Sequence, residues 1–358
     1  MPAAAAGRAP SKLSAGHPAL DLHNGNMDVS LMVWGVTCVV ILGLFVFDFF
    51  AHVRVPHEPT FRESATWSAV YIGLAIVFGL VVWWLWGGQF AGEYFAGYVT
   101  EKALSVDNLF VFTVIMATFA VPREFQQKLL LIGIVMALVM RAGFIAVGAA
   151  AISTFSWVFY IFGIFLVLTA AKLAREAGHE KEAEEERDSR IIALVRKFVP
   201  TTDEYHGDKF LATVDGKRVV TPMLLGLIAI GFTDLLFALD SIPAIYGLTE
   251  EPYIVFTANA FALMGLRQLY FLIGGLLDRL VYLSYGLSLI LAFIGVKLVL
   301  HALHENTLPF INGGEHVTVP EITTGMSLGV IGVILVVTTV ASLIKTRGRT
   351  TADETARG

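Results

Sequence analysis

The sequence predicts an all-α fold, a polytopic bundle of about nine transmembrane helices. Three observations lead to it. Hydrophobic residues make up 56% of the 358 residues and charged residues only 15%, which is far from the balance of a soluble globular protein. Apolar runs of about 20 residues, long enough to cross roughly 30 Å of hydrocarbon, recur nine times. Lys and Arg are concentrated in alternate loops between those runs, as expected when cytoplasmic loops retain positive charge.

The predicted spans divide the chain into two membrane halves, 27–173 with spans 1 to 5 and 222–344 with spans 6 to 9, joined by a charged cytoplasmic linker, 174–221. Residues 1–26 have no apolar core of the signal-peptide type, so we expect a disordered extracytoplasmic tail. Residues 345–358 are predicted to be a cytoplasmic tail. The nine spans lie near 28–50, 67–87, 95–119, 128–152, 155–173, 222–245, 253–276, 280–302 and 324–344.

The basic residues also predict the orientation in the cell membrane. Four loops contain no Lys or Arg, namely 88–94, 153–154, 246–252 and 303–323. The loops between them, the linker and the C-terminal tail all contain basic residues, for example Arg54, Arg123, Arg279 and Lys345. This alternation places the N-terminus outside and the C-terminus in the cytoplasm.

The linker has three parts. Glu180 to Arg190 is a run of charges, Ile191 to Val199 has the pattern of a short amphipathic helix, and Phe210 to Val220 has that of a β-hairpin with a turn at Asp215-Gly216. A solvated connector is one interpretation of the linker, and a regulatory or sensing element is the other.

Two spans contain the same polar pattern, which is an acid, five residues, a second acid and then a small amide or hydroxyl side chain. A carboxylate near the bilayer centre costs roughly 2.5 to 3.5 kcal/mol, so four cost roughly 10 to 14 kcal/mol unless something offsets them. A cation is the obvious candidate. The predicted metal ligands are Glu101, Asp107 and Asn108 in span 3 and Asp234, Asp240 and Ser241 in span 6.

Further polar residues indicate an internal repeat. Spans 4 and 7 contain Arg141 and Arg267, and spans 5 and 8 contain Lys172 and Lys297, so spans 3 to 5 look like a distant copy of spans 6 to 8. Because three spans separate the copies, they run in opposite directions. Inverted repeats with broken helices that meet near the midplane are typical of secondary transporters. The two lysines lie near span ends, where snorkelling to the interface is the simpler interpretation.

The predicted ligands are all oxygen atoms, which favours Mg²⁺, Ca²⁺ or Mn²⁺ over zinc or copper. Pro243 removes the hydrogen bond that the Leu239 carbonyl would accept, and a kink there would free carbonyls beside Asp240. The single cysteine, Cys38, provides neither a disulfide nor a cysteine metal site. Buried acids can also take up a proton when a cation leaves, because desolvation and like charges favour the neutral form.

Structural interpretations of the same residues stay open. Asp107 and Asp240 could pair with Arg141 and Arg267 as buried ion pairs, although four acids against two arginines leave negative charge over. Lys102 could neutralise a neighbouring acid. For Asp48, the acid at the end of span 1, an interfacial role is the simpler interpretation. For Asn108, Ser241 and Asn259, interhelical hydrogen bonding and cation binding are equal alternatives.

Four short sequence motifs resemble signatures of the TerC family of integral membrane proteins. This family is named for tellurium resistance and grouped with LysE-type exporters. They begin at Glu101, Val121, Phe237 and Phe256, and the resemblance extends from about residue 48 to 300. It implies metal ion homeostasis, with manganese efflux as the activity. It also implies that the family's acidic motif positions are matched by Glu101, Asp107, Asn108, Asp234 and Asp240. One departure is Gly231, where relatives commonly have an acid.

The function predicted from the sequence is therefore a membrane exporter, not an enzyme, with Mn²⁺ as the transported ion and protons as the counter-ion. No resident cofactor and no nucleic-acid partner are expected, whereas the lipid bilayer, a second copy or other membrane proteins are possible partners. The alternative is a membrane scaffold or assembly factor in tellurite or metal stress, without transport. An oxyanion site would need unpaired basic residues, and the repeated motif is acidic. An intramembrane aspartyl protease is disfavoured, because Phe-Ala-Leu precedes Asp240 where that chemistry has Gly-x-Gly.

Overall fold

The chain was described with a computed structural model. Its helices are α1 Leu31–Asp48, α2 Phe61–Trp86, α3 Gly88–Thr118, α4 Arg123–Thr154, α5 Val158–Glu176, α6 Pro222–Tyr246, α7 Pro252–Leu263, α8 Leu266–Ile273, α9 Leu283–Glu305 and α10 Thr324–Arg357. A π-helical turn, Phe49–Val53, continues α1. The structure describes residues 27–54, 57–155, 157–177, 201–202, 204–214, 216–273, 280–307, 317, 319–320 and 322–357.

Several predictions fall outside the described residues. They concern the N-terminal tail 1–26, the charge run and the amphipathic helix of the linker, and Arg279. The rest of the chain confirms an all-α, polytopic fold. Eight helices among the described residues, with α7 and α8 together as one span, are long and apolar enough to cross a membrane.

The remaining span is α3, whose polar content sets it apart. Every stretch of 18 residues within its 31 residues contains at least three charged side chains. Its length of roughly 46 Å, at 1.5 Å per residue, still exceeds the hydrocarbon thickness. The helix begins at Gly88 rather than near residue 95, so the predicted loop 88–94 is helical. Gly87, with φ +97°, is the only residue between α2 and α3.

Other boundaries also differ from the prediction. Span 2 begins at Phe61, six residues earlier than predicted, because Thr60 caps the helix by accepting a hydrogen bond from the Glu63 amide at 3.3 Å. At the other end of the chain, α10 continues to Arg357. The segment predicted as a C-terminal tail therefore prolongs the last helix.

Contacts between loops group them as the charge alternation predicts. Arg123 Nη1 donates to Glu58 Oε1 at 2.7 Å, which joins two loops that both carry basic residues. At the opposite end of the bundle, the Met27 amide donates to Glu251 Oε1 at 2.8 Å. The two sets of loops thus lie at opposite ends. Which end faces the cytoplasm stays a prediction.

The β-hairpin of the linker is confirmed. Strand β1, Leu211–Val214, pairs antiparallel with β2, Lys217–Val220, and Val214 lies opposite Lys217. That register leaves a two-residue loop, and Gly216 supplies the positive φ of +77° that such a turn needs.

Two contacts dock the linker onto the first membrane half. Lys128 Nζ lies 2.6 Å from Asp208 Oδ2, and this ammonium holds the pKa of the Asp208 carboxyl below its ordinary value. The Tyr205 hydroxyl donates to the Phe119 carbonyl at 2.7 Å, and burial raises the pKa of Tyr205 to about 12. The segment just before the hairpin is therefore fixed to α4 and to the α3–α4 connection, although in the chain it leads into α6.

The packing of the halves is consistent with the predicted repeat. Helix α3 packs on α7, and α4 packs on α6, which are equivalent pairs if spans 3 to 5 correspond to spans 6 to 8. Helices α5 and α9 cross at two glycines, where a Cβ on Gly163 would lie 2.8 Å from the Gly295 carbonyl oxygen, and the converse distance is also 2.8 Å. The inverted repeat itself stays a prediction.

The interrupted span is span 7, rather than the kinked span 6 expected from Pro243. Helix α6 continues through Pro243 to Tyr246. Span 7 is divided between α7 and α8 at Gly265, whose φ is +80°. A Cβ at this glycine would also lie 3.0 Å from Tyr71 Cβ. The break therefore requires glycine both for its backbone conformation and for the close approach of α2.

Candidate functional site

A buried arginine joins the two acidic motifs. The Arg141 side chain, on α4, is fully buried. Its Nε and Nη2 donate to the two carboxylate oxygens of Asp234 at 3.1 and 2.9 Å, the bidentate geometry that gives the strongest pairs. Its Nη1 donates to Glu101 Oε1 and, at 3.1 Å, to Ser241 Oγ. One guanidinium therefore binds side chains from both α3 and α6.

Two glycines allow α4 and α6 to approach closely enough for this contact. A Cβ on Gly133 would lie 2.8 Å from Ile230, and one on Gly226 would lie 3.2 Å from Leu129. Close packing of the backbones brings the Arg141 side chain within reach of α6. Small residues have this role at helix interfaces in membranes, where the backbones must approach.

Neutralisation of this cluster is incomplete. Glu101 and Asp234, which are 0% and 1% exposed, share the single charge of Arg141, so the three side chains carry one net negative charge when ionised. Ser105 donates to Glu101 Oε1 at 3.4 Å. Glu101 Oε2 is buried and has no hydrogen-bond partner among the described residues. A buried carboxylate oxygen without a donor is costly, so this atom is a candidate cation ligand.

The other predicted ligands lie around this cluster. Asp240 is partly buried and close enough to Arg141 and Glu101 for their charges to act on it. Asn108 is buried and Asp107 is partly buried. Within the described ranges, no group of three or more His, Cys, Asp or Glu side chains is arranged to hold a metal ion. The structure thus brings Glu101, Asp234 and Ser241 together, and the six-residue ligand set stays a prediction.

Gly231 is the position at which the family resemblance led us to expect an acid. A Cβ at this position would lie 3.2 Å from Met136 Sδ, and the Met136 methyl group is closer still. An acid at position 231 would therefore require Met136 to move or to be replaced. The Met136 side chain packs against Gly231 and occupies the space that a carboxylate side chain at position 231 would need.

Lys102 contacts the broken span rather than an acid. Its Nζ donates to the Ala262 carbonyl at 2.9 Å and lies 3.5 Å from that of Met264, at the C-terminal end of α7. One turn earlier on α7, Asn259 is 0% exposed, and neither polar atom of its side chain has a partner within the described part of the chain. The interpretation of Asn259 as interhelical hydrogen-bond glue therefore has no contact to support it.

A second buried arginine forms a separate cluster that the sequence did not predict. Asp48 Oδ1 accepts hydrogen bonds from the Tyr71 hydroxyl at 2.7 Å, Arg267 Nη2 at 2.7 Å and Gln268 Nε2 at 3.1 Å. Arg267 Nη1 also donates to Gln127 Oε1 at 2.7 Å. Asp48 is thus buried and paired instead of interfacial. The sequence does contain a signal for this ion pair, namely an acid in span 1 and an arginine in span 7.

A cavity of about 490 Å³ opens at the end of the bundle predicted to face outward. Its lining includes Glu93, Glu250, Lys297 and His301. Glu93 Oε2 accepts a hydrogen bond from the Thr249 hydroxyl at 2.7 Å, and His301 Nε2 lies 3.1 Å from Glu250 Oε1. Lys297 thus lines this cavity at a span end. Sequence reasoning missed Glu93 because it lies in the segment predicted as a loop.

The helical spans and the buried acid–arginine cluster define a multi-pass integral membrane protein with a polar centre. The chain belongs to the TerC family, because the model of that family, described as "Integral membrane protein TerC family", matches residues 86–350. This confirms the family resemblance that the motifs indicated. No solved structure significantly matches the chain.

Several relatives are similar over most of their length. "Uncharacterized membrane protein Rv2723" of Mycobacterium tuberculosis strain H37Rv is 54% identical over 90% of this chain and 82% of its own. "Uncharacterized membrane protein STKORF319" of Myxococcus xanthus is 37% identical, with 90% and 95% covered. "Putative membrane-bound redox modulator Alx" of Escherichia coli K12 is 36% identical, with 75% and 86% covered. None of the three is described as an enzyme.

Proposed function

We propose that the protein exports divalent cations, with Mn²⁺ as its substrate, in exchange for protons. The observation that carries the proposal is the excess of buried negative charge at Arg141. Glu101 and Asp234 share its guanidinium, and Asp240 lies within reach of the same charges. Three carboxylates against one guanidinium leave two negative charges, which one dication would balance.

The donor atoms support the class of cation. Glu101 Oε2 has no partner among the described residues, while Glu101 Oε1 and the Ser241 hydroxyl both accept from the same guanidinium nitrogen, Arg141 Nη1. Oxygen donors of this kind suit Mn²⁺, Mg²⁺ and Ca²⁺. Mg²⁺ gives up its water reluctantly, which disfavours it at a site of such limited access. Among these ions, Mn²⁺ is the one implied by the resemblance to manganese exporters.

Protons are the natural counter-ion for such a cluster. When a dication leaves, the carboxylates are again crowded in a medium of low dielectric constant, where a bound proton lowers the electrostatic free energy. Metal and proton therefore compete for the same oxygens. If the cluster is accessible alternately from the two sides of the membrane, this competition becomes exchange.

Transport in proteoliposomes tests the proposal. An inward proton gradient should accelerate Mn²⁺ efflux, and added Mn²⁺ should move protons in the opposite direction. Asp107→Asn and Asp240→Asn should each abolish this flux in folded protein, whereas Asp208→Asn in the docked linker should leave it intact. Zn²⁺ and Cu²⁺ should be poor substrates, since the predicted ligand set contains no thiol or imidazole.

Mn²⁺ flux that does not depend on the proton gradient and is not accompanied by a pH change would rule out exchange of Mn²⁺ for protons. Absence of any metal flux would instead favour a scaffold without transport. The redox role in the name of the Escherichia coli relative gains no support from thiol chemistry, because the sequence contains one cysteine and an intrachain disulfide needs two.

A further inference from the structure

The break in span 7 leaves carbonyl groups without helical partners. Helix α7 ends at Leu263, and Gly265 turns the chain before α8 begins. The last carbonyls of a helix have no intrahelical donor and carry the negative end of its dipole. At this end, the Lys102 ammonium contacts the oxygens of Ala262 and Met264. A side chain of α3 thus places a positive charge at the broken end of α7.

Other unsatisfied polar atoms lie on the two helices that this contact joins, α3 and α7. Asn259, one turn before Ala262 on α7, is completely buried, and its side-chain oxygen and nitrogen both lack partners among the described residues. Glu101 precedes Lys102 in the chain, and its Oε2 is likewise buried without a donor. Two carbonyls, an amide oxygen and a carboxylate oxygen are the ligand types that hard cations prefer.

We propose that the C-terminal end of α7 is a cation-binding site and that Lys102 is the tethered cation that fills it when no metal is bound. The site would take a hard divalent cation such as Mn²⁺ through the Ala262 and Met264 carbonyls, with Asn259 and Glu101 as further oxygen donors. The metal displaces the lysine ammonium from the carbonyls, so the two compete. This inference rests on the proposed cation transport and assigns Lys102 the role of competitor.

A simple helix cap would be the structural alternative. A cap must donate hydrogen bonds to the carbonyls, but its charge has no further consequence. A competitor must be positively charged, because its repulsion of the incoming cation opposes binding. Lys102→Gln separates these roles, since glutamine retains a hydrogen-bond donor and loses the charge. Lys102→Arg retains both.

The test measures Mn²⁺ binding to the purified, full-length protein from the loss of the free Mn²⁺ signal in electron paramagnetic resonance. Lys102→Gln should bind Mn²⁺ at least about tenfold more tightly than wild type, because one unit charge is removed within a few Å of the site. Lys102→Arg should bind no more tightly than wild type. Lys102→Met, which lacks both donor and charge, should also bind more tightly, and it replaces the glutamine variant if that one fails to fold.

The Mn²⁺ affinities of these variants distinguish a competitor from a cap. Lys102→Gln and Lys102→Met proteins that bind Mn²⁺ no better than wild type would show that Lys102 is only a cap, and the proposed site would be wrong while cation transport stood. Wild-type protein that binds no Mn²⁺, together with Lys102→Gln protein that binds none, would contradict the proposed function as well. Tight binding by Lys102→Arg would also overturn competition by charge.

Discussion

Arg141 and Arg267 occupy corresponding spans in the predicted repeat, yet their surroundings differ. Arg141 lies within an unbroken helix, α4, and reaches Glu101 and Asp234 at the interface of α3 and α6. Arg267 follows the break at Gly265 and reaches Asp48 on α1. One guanidinium is shared by two carboxylates, whereas the other meets a single carboxylate that Tyr71, Gln268 and His52 also contact.

The difference shows how one glycine directs the two buried arginines into clusters of different charge balance. Because the chain turns at Gly265, Arg267 is directed toward α1 instead of the centre between α3 and α6. Its cluster sets one arginine against one carboxylate, with Tyr71 and Gln268 supplying additional hydrogen bonds and His52 Nδ1 3.2 Å from the same carboxylate oxygen. The Arg141 cluster keeps an excess of negative charge. An excess of charge favours ion binding, whereas a balanced pair serves structure.

The largest effect is expected from Arg141→Met. Two buried carboxylates would lose the one cationic partner that they have among the described residues, and breaking a buried pair in this way costs roughly 3 to 5 kcal/mol. We expect poor insertion or a marked fall in the thermal midpoint of the detergent-solubilised protein. Adding Asp234→Asn should recover part of the loss. Wild-type stability of the single variant would mean that the cluster is not buried as described.

Arg267→Met should cost less, roughly 1 to 3 kcal/mol, because Asp48 retains its hydrogen bonds from Tyr71 and Gln268. The same thermal measurement applies. Mn²⁺ binding should be unchanged, since this cluster does not contact the candidate site. A loss of Mn²⁺ binding equal to that of Asp240→Asn would erase the distinction between the two arginines.

The Gly265→Ala variant tests whether the break at Gly265 requires glycine. The alanine methyl would be 3.0 Å from Tyr71 Cβ, and φ of +80° disfavours any L side chain, so roughly 1 to 2 kcal/mol of destabilisation is expected. Gly329→Ala in α10, where a Cβ would meet nothing within 4 Å, is the matched control and should be neutral or slightly stabilising. Equal melting temperatures for the two variants would contradict a required break.

The smallest effect concerns an exposed ion pair, Lys128 with Asp208. Asp208→Asn should cost less than about 1 kcal/mol, because the Asp208 side chain is 41% exposed. The pKa of Asp208 is lowered in the folded protein, so the contribution is present above its ordinary value of 3.8 and is lost as pH falls through the lower folded value. Thermal midpoints of wild type and variant should differ slightly near about pH 7 and converge as the pH falls below the lowered folded pKa. A difference that grows in acid would refute the assigned sign.

Local patterns in the sequence were enough to predict much of the fold. Apolar length predicted the spans, and the Asp-Gly dipeptide predicted the hairpin that ends at Val220. Residues four or seven apart share one face of a helix, and Glu101 with Ser105 and Asp234 with Ser241 do share one site. These features depend on residues within a few turns of one another.

Partners across helices were not predictable in the same way. The sequence left open whether Arg141 meets Asp107, Asp240 or neither, and its actual partners depend on the glycines that bring α4 against α6. The sequence predicted a kink in span 6, at Pro243, because proline is the stronger local signal, and did not predict the break in span 7. Gly265 breaks the helix through its φ and its contact with α2, and the contact lies almost 200 residues away in sequence.

The docked linker has a mechanical consequence for the proposed transport. Asp208 binds it to α4, Tyr205 binds it to the α3–α4 connection, and through β2 it leads directly into α6. It therefore ties the two halves together at one end of the bundle. In a cation exporter of the proposed kind, a movement that opens the site should pivot about this tie, and the larger displacement should occur at the opposite end, where the Glu93 cavity lies.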